Sequence, residues 1–466
     1  MIYILFGLFF LMLIYLYLRF NRDLIQPSVI FCLVYCVSIF CAILNVSKWN
    51  IQLEMKTFLI LFLGAVEFII ISLLVNKHFE KNSKSCEVIG KNRSFNIEIE
   101  KYKVFIITVY NVIMIGLLLY YVLNIASQFG EFNSLSEALT LFKQHTSYAK
   151  DAELPHLLLF AQKPIIVFAY IFMYLYIKNI IFDEENSILY NIFSKWYYLI
   201  PVVGYIIHEF INSNRLTILS LGFATFTITL ILYNIKNNWK KPIKMKSIIT
   251  IGIIGILVLV IFYLSASWVG RINNKNLIDY ITLYCGGSIE NLNLFIKSPP
   301  EASSIWGKES FYYLIKNLHD YGIMPLSQMY PIHLEFRYYD SIMIGNVYTA
   351  YRRWIYDFGI VGMIILQGIM ALFFNVFYNK IKYSASKYLD FYIIIFSYMI
   401  YSVFLHPIDS YFYLQTVRLA FVSTFVLFIL IYMFIFKFHI TLKKGLTIRI
   451  GNYYIFFENK LVLKKN

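Results

Sequence analysis

Residues 57–75 read TFLILFLGAVEFIIISLLV, a stretch with one ionisable side chain, Glu67. A helix of that length rises about 28 Å, close to the hydrocarbon thickness of a bilayer. Stretches of the same kind lie near 2–18, 27–46, 104–125, 156–177, 196–211, 216–235, 248–266, 355–378, 388–405 and 416–436. In lipid a backbone must satisfy its own hydrogen bonds, so serial apolar runs of this length read as helices. The expected fold is an all-α polytopic membrane protein of about eleven transmembrane helices. Its expected parts are eight helices over 1–266, a large extracytoplasmic loop over 267–354 containing short helices, three helices over 355–436, and a basic cytoplasmic tail over 437–466.

Composition agrees with that reading. The chain is 59% hydrophobic, 19% aromatic and only 14% charged, against roughly a quarter charged in a soluble domain. A net charge of +15 would suit a nucleic-acid binder, but the charges come in short runs between apolar stretches. No zinc-finger, helix-turn-helix or RNP pattern accompanies them. Met1 is followed at once by an apolar run, with no basic region before it and no A-x-A site after it, so residues 2–18 read as a span and not as a cleavable signal. Cys32, Cys36 and Cys41 share one apolar stretch and read as small packing residues. Cys86 falls in a basic loop. Cys285 stands alone in the large loop, which predicts no disulfide within that loop.

The loops set the orientation. Segments 19–24, 76–103, 178–195, 236–247, 379–387 and 437–466 hold 26 Lys and Arg, whereas the alternate segments 47–56, 126–155, 212–215, 267–354 and 406–415 hold 13 over a greater length. The first set is therefore expected in the cytoplasm, with the N-terminus outside and the C-terminus inside. Two outer segments carry helical spacing. One is the amphipathic stretch from Leu135 to Phe142; the other is Phe311, Leu314, Ile315 and Leu318, closed by Gly322.

Ionisable residues near spans mark candidate chemistry. His208, Glu209 and Arg215 flank the short turn at 212–214. Arg352, Arg353 and Asp357 start the ninth span, His406 and Asp409 follow the tenth, and Arg418 starts the eleventh. The topology puts them all at the outer level. Arginine there runs against the positive-inside bias, and guanidinium suits bidentate phosphate contacts, so Arg215, Arg352, Arg353 and Arg418 are candidate ligands for an anionic lipid headgroup. The plainer readings are that Arg353 pairs with Asp357 four residues on, that Arg352 faces lipid phosphates, and that Arg215 pairs with Glu209 or caps the turn through Asn212 and Asn214. His406 before Pro407 has a structural reading beside a catalytic one. Glu67 and Lys163 read as buried partners of other spans. The Tyr-rich loop reads mainly as an interface belt, with sugar stacking as the alternative.

Several segments resemble one family. Asn212–Leu219, NSNRLTIL, resembles the S-x-R turn of O-antigen and capsule repeat-unit polymerases of the Wzy type. Tyr284–Leu292, YCGGSIENL, followed by Trp306–Phe311, WGKESF, is similar to the start of that family's large loop. Gly345–Tyr351, GNVYTAY, with Asp357–Gly362, DFGIVG, resembles the point where the loop re-enters the membrane. The resemblance covers mainly residues 205–365. It implies a glycosyltransferase of the bacterial cytoplasmic membrane that moves a growing glycan from polyprenyl pyrophosphate onto the next lipid-linked repeat unit. Arginines would stabilise the departing pyrophosphate, and Glu209, Asp357 or His406 would serve as general base. It also implies a chain-length regulator protein as partner.

The donor is already activated, so no cofactor is expected. No Gly-rich nucleotide loop and no D-x-D-like metal site appears in the outer loops. The R-x10-G pattern of some polymerases is absent, since none of Arg215, Arg271, Arg337, Arg352 or Arg353 has Gly eleven residues on. Related O-antigen ligases place a His-Asn pair where this chain has Gly345 and Asn346. The ligase and a lipid-linked oligosaccharide flippase are the alternative readings. The flippase should have short loops on both sides, and no internal repeat supports a transporter.

Overall fold

The computed structural model describes residues 1–82, 97–149, 151–183, 186–243, 245–268, 276–301, 305–324, 332–383, 386–441, 446–450, 453–458 and 460–465. Cys86 and Arg271 lie outside these residues. The longer helices are α1 (Ile2–Arg19), α2 (Pro27–Ile43), α3 (Met55–Asn82), α4 (Lys101–Phe129), α5 (Leu135–Lys143), α6 (His156–Phe182) and α7 (Trp196–Ile211). They continue as α8 (Arg215–Lys236), α9 (Met245–Trp268), α10 (Leu277–Lys297), α11 (Tyr312–Asp320), α12 (Ala350–Tyr383), α13 (Leu389–Phe404) and α14 (Leu419–Lys437). The described chain is 77% helical. Seven of these helices, α1, α3, α4, α6, α8, α12 and α14, are long and apolar enough to cross a membrane. The chain is thus a multi-pass α-helical membrane protein. Shorter apolar helices at Pro27–Ile43, Trp196–Ile211, Gly255–Ser265 and Leu389–Phe404 overlap the remaining stretches read from the sequence.

The chain divides into two compact units. The first is Met1–Arg93 with Leu219–Phe421, the second Ser94–Ile218 with Val422–Asn466. In the first, α1 packs on α2, α2 on α10, and α12 on α3. The α3–α12 contact is close because Gly64 has no side chain, since a Cβ there would overlap the Tyr351 hydroxyl. Polar side chains buried between these helices bond one another. Gln26 donates to Ser72 (3.1 Å) and Asn375 (3.3 Å), and Ser28 shares a hydrogen bond with Ser72 (2.9 Å).

In the second unit α7 packs on α4 and α6. The amphipathic α5 docks on α4 through Leu139 and Phe142 against Leu118, Val122 and Ile125. Its start is capped: Ser134 Oγ accepts from the Glu137 amide (3.3 Å), and the Glu137 carboxylate accepts from the Asn133 amide (2.7 Å). A short helix at Ile188–Ser194 exposes Ile188, Leu189, Tyr190 and Phe193, the habit of a segment lying in a membrane interface.

Two regions differ from the sequence expectation. The segment 267–354, expected to be a large loop with short helices, contains α10, a helix of 21 residues, in addition to α11, which covers the spaced apolar positions and is followed by Gly322 at φ +73°. The loop also carries a hairpin of β1 (Arg337–Tyr339) and β2 (Ile342–Gly345). The segment after α14, expected as a basic tail, holds strands. It forms an antiparallel meander of β3 (Phe438–Thr441), β4 (Leu446–Ile450), β5 (Tyr453–Glu458) and β6 (Lys460–Lys465).

Candidate functional site

The densest group of charges in the first unit lies at the start of α12. Tyr348 and Ala350 donate their amides to the carbonyls of Ile408 (3.2 Å) and His406 (2.9 Å), which ties the helix start to the turn after α13. Arg353 follows, 3% exposed, and grips Asp409 with two bonds, Nε to Oδ1 (2.6 Å) and Nη2 to Oδ2 (2.9 Å). Its Nη2 also reaches the Ile332 carbonyl (3.1 Å). Arg352 is 1% exposed and pairs with Glu309 and with Glu335 (2.9 Å). Its guanidinium lies over the rings of Phe295 (4.7 Å), Tyr356 (5.0 Å) and Tyr348 (5.4 Å), a setting that suits a delocalised cation.

Asp357 does not pair with Arg353 as the four-residue spacing suggested. Its carboxylate accepts from the amides of Glu309 (3.0 Å) and Ser310 (2.6 Å) and so clamps the loop segment that carries Glu309. Tertiary geometry overrides the local i,i+4 option because Asp409 offers Arg353 a bidentate partner.

Just after Asp357 the helix breaks. Gly359 takes φ +66° and ψ −167°, a conformation open essentially to glycine alone. The charged segment 350–358 is thereby set off from the apolar remainder, 360–383.

The carboxylates differ in character. Burial pushes Glu309 up to about 7; Arg352 and Arg353 pull the other way, and Asp357 and Glu335 add to the rise. Burial also raises Glu335, but Arg352, a backbone donor and Arg337 outweigh it and hold that carboxyl below its usual range. Glu309 is thus a carboxylate that changes charge near neutrality beside a fixed cation, the property expected of an acid–base group. Glu309 is the residue that sequence reasoning missed. Its signal was present in the quoted stretch WGKESF, but its chain position is far from any span.

The other expected residues are placed as follows. His406 is 1% exposed, ringed by Phe31, Tyr35, Tyr351 and Trp354. Tyr35 Oη meets its Nδ1 (2.7 Å) and Gln367 Oε1 its Nε2 (3.0 Å), so both ring nitrogens are engaged. Arg418 is half-buried, bonds Gln415 (2.6 Å) and lies over the Tyr313 ring (5.3 Å). Among the described residues no carboxylate pairs with it, which sets it apart from Arg352 and Arg353. Tyr313 is four residues from Glu309, so the two α-carbons lie within roughly 14 Å of each other by chain length alone.

In the second unit, Glu209 is held by His208 Nδ1 (2.9 Å) and the Thr217 hydroxyl (2.5 Å), while His208 Nε2 meets Gln162 Oε1 (2.6 Å). Arg215 begins α8 and is buried. The turn before it carries Ser213 at φ +56°, and Lys143 donates to the Ser213 carbonyl (2.8 Å). Among the described residues no group of three or more His, Cys, Asp or Glu is arranged to hold a metal ion. Compared with known proteins, the chain matches no family model, no curated protein and no solved structure.

Proposed function

We propose that this chain is a polymerase of lipid-linked oligosaccharide repeat units at the outer leaflet of a bacterial cytoplasmic membrane. In this reading it crosses the membrane eleven times, N-terminus outside and C-terminus in the cytoplasm. It transfers the growing glycan from polyprenyl pyrophosphate to a hydroxyl of the next lipid-linked unit. Glu309 takes the proton of the acceptor hydroxyl, the oxygen attacks the anomeric carbon, and the bond to pyrophosphate breaks. Arg352 orients Glu309 and keeps it anionic enough to act, Asp357 clamps the segment that bears it, and Arg418 faces the departing phosphate. Arg353 and His406 hold the scaffold. Arg215, in the other unit, keeps the phosphate-binding role given by its position in the NSNRLTIL turn.

The observation that carries this reading is the near-neutral Glu309 carboxyl beside Arg352 where the large loop returns to the apolar helix α12. The order of the resembling segments along residues 205–365 supports it. Deletion of the gene tests it. Loss of a polymerase leaves surface glycolipid with a single repeat unit and no ladder. Loss of a ligase removes even the single unit, and loss of a flippase strands units on the inner leaflet. A normal ladder in the deletion strain ends the proposal. Arg215→Ala and Arg418→Ala, inserted at normal levels, should each abolish long chains. Full ladders from both would leave these arginines as topology signals only.

A further inference from the structure

We propose that Cys41 and Cys285 form a disulfide that staples α10 of the large loop to the membrane helix α2. The loop holds no second cysteine, so any partner must come from elsewhere in the chain, and the fold supplies one. Helices α2 and α10 lie side by side. Their contact is so close that a Cβ on Gly286 would come within 2.5 Å of the Ala42 amide nitrogen and 2.9 Å of the Cys41 Cβ. Ser38, one turn before Cys41, donates to the Cys285 carbonyl (2.6 Å) and lies 3.4 Å from the Ser288 hydroxyl. The two thiols are near enough to interact, and both are free. Cys32 and Cys36 share the helix with Cys41 and, like it, are buried, but it is Cys41 whose Cβ lies against Gly286 beside Cys285.

Placement on the outer, oxidising side rests on the orientation proposed above. Oxidation there proceeds by exchange with a disulfide-bearing oxidant, R–S–S–R. One protein thiolate attacks an oxidant sulfur and expels RS⁻. The second thiolate attacks the protein sulfur of the mixed disulfide and expels the other RS⁻. The two protons lost by the cysteines end on two RSH, and the two electrons reduce the oxidant. The product fixes α10, whose Asn291 holds the Gly345 (3.2 Å) and Val347 (2.8 Å) carbonyls and whose Phe295 lies under Arg352. The staple therefore braces the platform of the charged site.

The test uses the full chain in native membranes. Free thiols are blocked with N-ethylmaleimide before lysis, and the protein is denatured, reduced and labelled with PEG-maleimide. A variant with Cys32, Cys36 and Cys86 changed to Ser should gain two PEG units, and adding Cys41→Ser should bring that to none. Peptide mapping of unreduced wild type should find the Cys41–Cys285 cross-linked peptide, which guards against variants that fail to fold. Reduced cells are then re-oxidised with impermeant oxidised glutathione or permeant diamide. Cross-linking by both supports the pair and its outer placement. Cross-linking by diamide alone supports the pair and overturns the orientation. Two maleimide-blocked thiols after both oxidants overturn the staple.

Discussion

The two ends of α12 carry charge networks of opposite kinds. At the Lys382 end one carboxylate, Asp23, collects donors. Tyr378 bonds it at 2.6 Å, Asn234 and the Ile25 amide at 3.3 Å, and Lys382 pairs with it at 3.5 Å while lying over the Trp239 ring. At the Arg352 end, Glu309, Glu335 and Asp409 pair with Arg352 and Arg353, Arg337 adds a third cation on Glu335, and Asp357 clamps the segment beside them. Donors outnumber acceptors at the first end, and the carboxylate is satisfied. Carboxylates compete at the second, and one of them is left near neutrality. A satisfied network specifies structure, whereas a contested one is suited to moving protons.

The sharpest way to break this contrast is Glu309→Gln. If Glu309 is the base, long-chain synthesis should fall about 10²–10⁴-fold at unchanged protein level, read from glycolipid ladders. A ladder of ordinary length from this variant would place Glu309 with the structural carboxylates. Next comes Arg353→Ala, which leaves the half-buried Asp409 without its bidentate partner and should cost about 1–3 kcal/mol. Thermal unfolding in detergent reads this directly, and an unmoved midpoint would mean that the bidentate pair does not form.

The third prediction is a pH dependence. Below pH 4.5 Glu309 is protonated in both folded and unfolded chains and contributes nothing. Between 4.5 and about 7 the unfolded chain gives up the proton while the folded one keeps it, so stability falls as pH rises and levels off above 7. The span corresponds to at most about 3 kcal/mol. The midpoint difference between wild type and Glu309→Gln should therefore drift in the variant's favour over that window, and a constant difference argues against the raised carboxyl. The smallest effect is expected of Asp23→Asn, about 1–3 kcal/mol from weakened hydrogen bonds to a charged group, with chain length untouched. A shortened ladder there would erase the distinction between the two ends.

Much of this was legible before the structure. The apolar runs fall on helices within a few residues, because burial in lipid selects composition directly. Helix α11 was legible from spacing and from Gly322, and α5 from its amphipathic spacing. Helix α10 was not, because GGSIENLN mixes small and polar residues whose burial depends on partners elsewhere. Asn293, for one, accepts from the Glu54 amide and from Thr57. The final meander was hidden for another reason. Its Lys and Arg drew attention to charge and away from the strand-forming residues of LTIRI and YYIFFE. Within the site, Arg352, Arg353 and Asp357 stood out because they border a span. Their partners lie 17 to 56 residues away, and no local pattern records such a pairing.

The placement of Arg352 and Arg353 also bears on the order in which the molecule assembles. Both sit in the first turn of α12, which contains no acidic residue. The aligned peptide dipoles put partial positive charge there, and two cations at that end oppose the helix, each by roughly 0.3–1 kcal/mol. The compensating carboxylates arrive from residues 309, 335 and 409. This turn should therefore be the last of α12 to become firm, after the loop has docked, and amide exchange at 351–354 should be faster than at 363–371. The chain would then wind the helix body early and complete its charged end late, making the docked segment a condition for an assembled ion-pair network.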